Sequence, residues 1–192
     1  MGRILVVSGP PGAGKSTVAA ALVDCFEPSA LIEGDAFFDF VARSWVAPWL
    51  PDSRAQNDVV VGAAAAATGR FAAGGYTTVY DGVVGPWSLD AFATASEAGD
   101  LHYVVLLPDV ERCVARVQAR HGHGFRDEAA TRKMHHEFAA ATVDGRHVVV
   151  DPPDAPGAVV DEVLARFERG SLAYASSPRS AGAIGALAVP TT

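Results

Sequence analysis

Arg3-Ile4-Leu5-Val6-Val7-Ser8-Gly9-Pro10-Pro11-Gly12-Ala13-Gly14-Lys15-Ser16-Thr17 is the stretch on which the reading of this chain turns. Its first six residues are mostly apolar and rich in β-branched side chains. That is the composition of a strand buried on both faces, hence central in a parallel sheet. From Ser16 to Phe26 alanines and leucines recur at helical spacing, up to Pro28, which stops the helix. Between strand and helix, Gly9 to Ser16 fits G-x-x-x-x-G-K-[ST] without a mismatch. Glycines let the backbone wrap an anion with its N–H groups turned inward, and the helix N-terminus adds positive potential. Lys15 is then placed to neutralise the outer phosphates of a nucleotide and Ser16 to hold Mg²⁺ through its hydroxyl. Gly9, Pro10, Pro11, Gly12, Ala13, Gly14 and Thr17 complete the cradle. The plainer alternative is a glycine-rich turn with an exposed lysine. It explains poorly why, of 15 basic residues, only Lys15 and Lys133 are lysines and one falls here.

Outward from this loop, strands and helices alternate. Strands are predicted at Ala30–Glu33, Tyr76–Tyr80, His102–Leu107 and His147–Val150. Helices are predicted at Gln56–Ala73, Trp87–Ala98, Asp109–Arg120, Asp127–Ala141 and Ala158–Arg169. Residues 36 to 56 read as irregular, and residues 171 to 192, small, polar and aperiodic, as a flexible tail behind a domain of residues 1 to 170. The alternation predicts an α/β domain with a parallel sheet and right-handed crossovers.

The 192 residues suffice for one domain with a single substantial core. With 49% hydrophobic and 19% charged residues, general disorder is excluded. The net charge of −7 gives no overall attraction to nucleic acid or to an anionic membrane, so phosphate binding must be local. The apolar runs are too short for a membrane span, and no signal peptide is visible. Cys25 and Cys113 read as two buried thiols, rather than a disulfide or a metal pair, in a reducing, cytoplasmic setting.

Ligands of open α/β sheets bind beyond the carboxyl ends of the strands, and two of those ends carry aspartate. Asp35, after the second strand, lies 20 residues beyond Lys15 and is the candidate general base for a hydroxyl acceptor. It also reads as the cap of a helix starting near Ala36. Asp81, after the third strand, is a candidate Mg²⁺ carboxylate, or else simply a turn residue in Asp81-Gly82. Arg112, Arg116 and Arg120 form one face of a helix that runs into the glycine-hinged loop His121 to Phe125. Such a loop suits a lid whose arginines, Arg116 and Arg120 foremost, stabilise a phosphoryl group in transfer. A solvated basic face is the alternative, and for Arg112 the favoured one. The histidines lack a ligand spacing that would mark a metal site.

Aromatic residues gather where an acceptor would sit. Phe38, Trp45 and Trp49 follow Asp35, and Trp87 follows Asp81, with Arg43, Arg54 and Asn57 as sparse polar groups. Apolar walls with few polar groups make a ligand pocket, although the same aromatics also suit a satellite core under a long loop.

The phosphate loop, Gly34-Asp35, Asp81 and the arginine helix with its lid resemble the small P-loop kinases. That group includes chloramphenicol phosphotransferase, the kinase domain of polynucleotide kinase, the zeta-toxin kinases and gluconate kinase. The resemblance covers residues 3 to 168. It implies a three-layer fold with sheet order 2-3-1-4-5 and ATP- and Mg²⁺-dependent phosphorylation of a hydroxyl. It also implies Asp35 as base and Arg116 and Arg120 as lid arginines ahead of a helix at Asp127–Phe138. Segment 36 to 56 matches no member, so acceptor residues do not carry over. The expected acceptor is a small organic alcohol, with an antibiotic or another secondary metabolite in view. Two alternatives stand beside it: an ATP-binding switch without acceptor, and a nucleotide or polynucleotide kinase. The acidic charge and the lack of a basic stripe count against a nucleic-acid acceptor.

Overall fold

Ile4 and Val6 bury their side chains on one side of the first strand, Leu5 and Val7 on the other. This two-sided burial makes β1 (Ile4–Ser8) the centre of the sheet. The computed structural model describes residues 2–97, 99–119, 125–141, 144–153 and 155–175. The other strands are β2 (Ser29–Glu33), β3 (Thr77–Asp81), β4 (Leu101–Leu107) and β5 (Val148–Val150). All pairings are parallel and the order is β2-β3-β1-β4-β5, the predicted one.

The helices are α1 (Lys15–Val23), α2 (Arg54–Ala73), α3 (Leu89–Ser96), α4 (Val110–Ala119), α5 (Glu128–Ala140) and α6 (Pro156–Glu168). Val18, Ala19 and Leu22 of α1 and Val159, Val163 and Phe167 of α6 cover the Leu5/Val7 face. Ala64, Ala65 and Ala72 of α2, Leu89 and Phe92 of α3 and Phe138 of α5 cover the Ile4/Val6 face. The alanines of α2 are what let a 20-residue helix lie close on the sheet. Each fully buried Phe or Leu contributes roughly 1.5–3 kcal/mol of transfer free energy.

Most predicted elements appear within a few residues of their expected ends. Helix α1 stops at Val23 rather than Phe26, and Cys25, beyond its end, is exposed rather than buried as expected, while Cys113 is buried. Trp87 is in a 3₁₀ turn, Pro86–Ser88, ahead of α3. Gly34–Phe40, inside the segment read as irregular, is a 3₁₀ helix. The first residues of the segment expected to be a flexible tail, from residue 171, are instead packed on β4. Leu172 is fully buried, its carbonyl accepts from the Tyr103 amide (2.9 Å), and the Tyr174 amide donates to Leu101 (2.8 Å). Residues 176–192 lie outside the described residues.

Candidate active site

The phosphate loop turns back on itself between β1 and α1. Gly9, Gly12 and Gly14 have φ of 143°, 80° and 95°, conformations that L side chains rarely adopt. Room matters as much: a methyl on Gly9 would overlap the Leu106 carbonyl of β4, and one on Gly12 the Cys113 carbonyl of α4. Lys15 is buried, and its Nζ reaches back across the loop to donate to the Pro10 carbonyl (3.1 Å). Its charge is felt at both Asp81 and Cys113, whose thiol burial pushes up to about 11. Ser16 and Thr17 are exposed at the start of α1.

Asp81 is the last residue of β3, in register with Val7 on one side and Glu33 on the other. Burial raises its carboxyl above the ordinary carboxylate range. The Ser16 side chain and the Lys15 ammonium pull it back, and Asp35 and Glu33 push it further up. These influences put Asp35, Asp81, Lys15 and Ser16 in one electrostatic neighbourhood at the strand ends. Asp35 is exposed in the first turn of the 3₁₀ helix, whose N-cap is Glu33 and carries no side-chain cap bond. Asp35 is therefore not the cap of this element.

The loop after Asp81 is tied to β1 by a residue that the sequence reading passed over. The Ser8 hydroxyl donates to the Val84 carbonyl (2.8 Å) and accepts from the Val84 amide (3.0 Å). The Tyr103 phenol donates to the same carbonyl (2.7 Å). Ser8 and Tyr103 are fully buried, so one hydroxyl cluster fixes the phosphate loop and the Asp81 loop to each other. A lone serine closing an apolar strand gave no signal for this.

Arg116 of α4 crosses to the phosphate loop, its guanidinium 3.4 Å from the Gly12 carbonyl. It stands at a cleft of about 330 Å³ with Gly12–Gly14 and Thr17 on one wall and Pro152, Pro153, Pro156 and Val159 on the other. Arg112 donates to the Pro152 carbonyl (2.8 Å) and so anchors the proline wall, a structural task rather than a solvated face. Arg120 and residues 121–124 lie outside the described residues. Arg132 of α5 clamps Glu111 of α4 through two bonds (2.6 and 2.8 Å).

After the 3₁₀ helix, Trp45 and Trp49 meet edge-on (6.5 Å between centroids), and Trp49 meets Phe125 (4.7 Å). Arg43 and Arg54 are exposed and make no hydrogen bond or ion pair among the described residues. Phe38 is half-buried in the 3₁₀ helix. Asn57 is engaged in holding the loop, donating to the Pro48 carbonyl (2.7 Å) and to Ser53 (3.0 Å). Its neighbour Gln56 pairs with both the amide (2.9 Å) and the carbonyl (2.7 Å) of Val46. Trp87 packs against Phe138 of α5 (5.3 Å).

Among the described residues no three His, Cys, Asp or Glu side chains form a metal-ligating group, and no helix is long and apolar enough to cross a membrane. The family model AAA_33, an AAA domain, matches residues 4–144. The chain belongs to the AAA_33 family. In this P-loop family the kinase-like fold extends to solved structures. A gluconokinase from Sinorhizobium meliloti 1021 is 25% identical, with 88% of this chain and 93% of that one covered and a TM-score of 0.62. The tunicamycin resistance protein of Deinococcus radiodurans (11% identity, 87% and 96% covered, TM-score 0.64) shares the fold. So does the Mycobacterium tuberculosis APS kinase, solved with AMPPNP and APS (16% identity, 87% and 98% covered, TM-score 0.65). No curated protein matches the sequence. A P-loop kinase-like fold of this kind implies nucleotide binding.

Proposed function

We propose that this P-loop domain is an ATP- and Mg²⁺-dependent kinase that phosphorylates a hydroxyl of a small organic molecule, antibiotics and other secondary metabolites included. The observation that carries the reading is the gathering of Asp35 and Asp81 at adjacent strand ends, beside Lys15 and Ser16.

In this reading the triphosphate occupies the loop amides and the base lies in the cleft between Arg116 and the prolines. Ser16 and Asp81 would hold Mg²⁺. An oxygen-donor pair whose carboxylate is partly desolvated fits a hard cation. Bound there, the ion supplies neutralisation of phosphate charge. The acceptor oxygen forms a bond to the γ-phosphorus as the bond to the β–γ bridging oxygen breaks, and ADP leaves. Asp35 takes the hydroxyl proton; its exposure leaves it open to an incoming acceptor. Lys15 and Arg116, with Arg120, counter the charge on the transferring group. Trp45, Trp49 and Phe38 supply apolar walls, and Arg43 and Arg54 two cations at the rim. The net charge of −7 disfavours a polynucleotide acceptor. The two free cysteines agree with a cytoplasmic enzyme.

The test is an ATP-consumption screen over hydroxyl compounds, with mass spectrometry of the products. A compound gaining one phosphoryl group in step with ADP formation is the expected result. ATP hydrolysis unaffected by every hydroxyl compound, and by loss of Asp35, would mark an ATP-binding switch instead.

A further inference from the structure

The two carboxylate turns share a feature that the phosphate loop does not explain. Asp35 is preceded by Gly34, and Asp81 is followed by Gly82. Neither glycine has a positive φ, unlike Gly9, Gly12 and Gly14. Their backbone conformation is therefore open to other residues, and room is the remaining reason for glycine.

The same side chain fills that room on both sides. Tyr80 precedes Asp81 on β3, and the body of its ring is buried edge-on against Phe92 (4.8 Å). Its phenol end lies, buried, between the turns. A methyl built on Gly34 would overlap the Tyr80 hydroxyl. One built on Gly82 would lie 2.7 Å from Cε1 and 2.8 Å from the hydroxyl, closer than real side chains come. Tyr80 is anchored at both flanks, with Ile32 of β2 and Val6 of β1 as its register partners. A rigid ring held this way transmits the position of the sheet to both turns at once. Burial keeps the phenol protonated, and the charges of Asp35 and Asp81 add to that, as expected of a neutral group lying near both carboxylates.

We propose that Tyr80 is a positioning residue whose phenol, wedged between Gly34 and Gly82, sets the separation of the Asp35 and Asp81 carboxylates. The proposal rests on the kinase reading, in which Asp35 accepts the proton and Asp81 faces Mg²⁺. Tyr80 touches neither nucleotide nor acceptor in this account. It acts through the turns, where a shift of about 1 Å is enough to lower turnover by up to roughly 10²-fold.

The experiment uses the full chain and needs no identified acceptor, because water takes the acceptor's place. Mg²⁺-dependent ATP turnover, AMPPNP–Mg²⁺ affinity by calorimetry and thermal midpoint are measured for wild type, Tyr80→Phe, Gly34→Ala, Asp35→Asn and Asp81→Asn. Removing the hydroxyl lets the Gly34 turn settle, so Tyr80→Phe should lose on the order of 10-fold or more in turnover. Its nucleotide affinity should stay within about twofold, and its turnover should need more Mg²⁺. Gly34→Ala, which forces the turn off the phenol, should lose at least as much. In a Tyr80→Leu background, where the ring end is gone, the same substitution should cost measurably less, a non-additive pair. A merely structural Tyr80 would lower the midpoint without moving the Mg²⁺ dependence. If Tyr80→Phe turns over at the wild-type rate with unchanged Mg²⁺ dependence while Asp35→Asn and Asp81→Asn are impaired, the spacer role is overturned and the kinase reading stands. If the two aspartate variants are also wild-type, both fall together.

Discussion

The loop Gly9–Gly14 and the segment 41–53 lie on the carboxyl-end side of the sheet, one leaving β1 and the other following β2 through the 3₁₀ helix, yet different forces hold them. The phosphate loop is fixed by backbone: three glycines at positive φ, close contact with the carbonyls of Leu106 and Cys113, and Lys15 bonded to Pro10. Segment 41–53 is fixed by three side chains. Gln56 binds Val46, Asn57 binds Pro48 and Ser53, and Ser53 binds Pro48 (2.8 Å) and Leu50 (2.7 Å). A backbone-built loop tolerates few substitutions and keeps one ligand. A loop held by a few side chains carries exposed apolar residues such as Trp45 and Leu50 whose identity the loop's own bonds do not fix.

The largest effect should come from the backbone-built side. Lys15→Ala should reduce ATP turnover to background and weaken nucleotide binding, and calorimetry with AMPPNP checks it. Binding at the wild-type level would break the contrast at its stronger end.

Asn57→Ala addresses the other side. It removes two hydrogen bonds that shape residues 48–53, an expected cost of about 1–3 kcal/mol read from urea unfolding. ATP affinity should not change, while the Michaelis constant for the acceptor rises. A fall in ATP affinity of similar size would show that the two sides are one unit.

The smallest effect lies far from both. Burial holds His102 and His147 below the ordinary imidazole value. Asp100 raises and Arg3 lowers His102, while Arg146 lowers and Asp144 raises His147. Both take up a proton less readily in the folded state than in the unfolded chain, so the unfolded chain takes up protons first as the pH falls through about 6.5. Their contribution to stability is complete above that pH and is lost progressively below it. His102→Asn should flatten the acid limb of stability against pH between about 6.5 and 5 without touching turnover at neutral pH. An acid limb as steep as in wild type would show that His102 is no part of it.

The same contrast decides what was readable in the chain. Residues 3–17 form strand, loop and helix through local rules, so their pattern is visible in the sequence, and the turn at Asp35 and the strand end at Asp81 follow from it. Gln56 and Asn57 were not readable in the same way, because an amide binding its own loop and one binding a ligand look alike in sequence. Trp87 is a related case: nearness in sequence to Asp81 says nothing about Phe138, 51 residues on, against which it packs. Leu172 sits in an aperiodic segment, and its burial depends on hydrogen bonds to β4 that no local signal announces. Arg112 and Arg116 share a helix face, but only the fold assigns one to the proline wall and the other to the phosphate loop.

Asp35 tests the central claim most directly, because a general base acts on the acceptor and not on ATP. Asp35→Asn keeps the size of the side chain and cannot take a proton. The measurement pairs calorimetric ATP affinity with the rate of phosphoryl transfer to the acceptor found by the screen. Near-normal ATP affinity with transfer reduced by roughly 10²–10⁴-fold is the expected result. Transfer at the wild-type rate would contradict the account and place the base elsewhere.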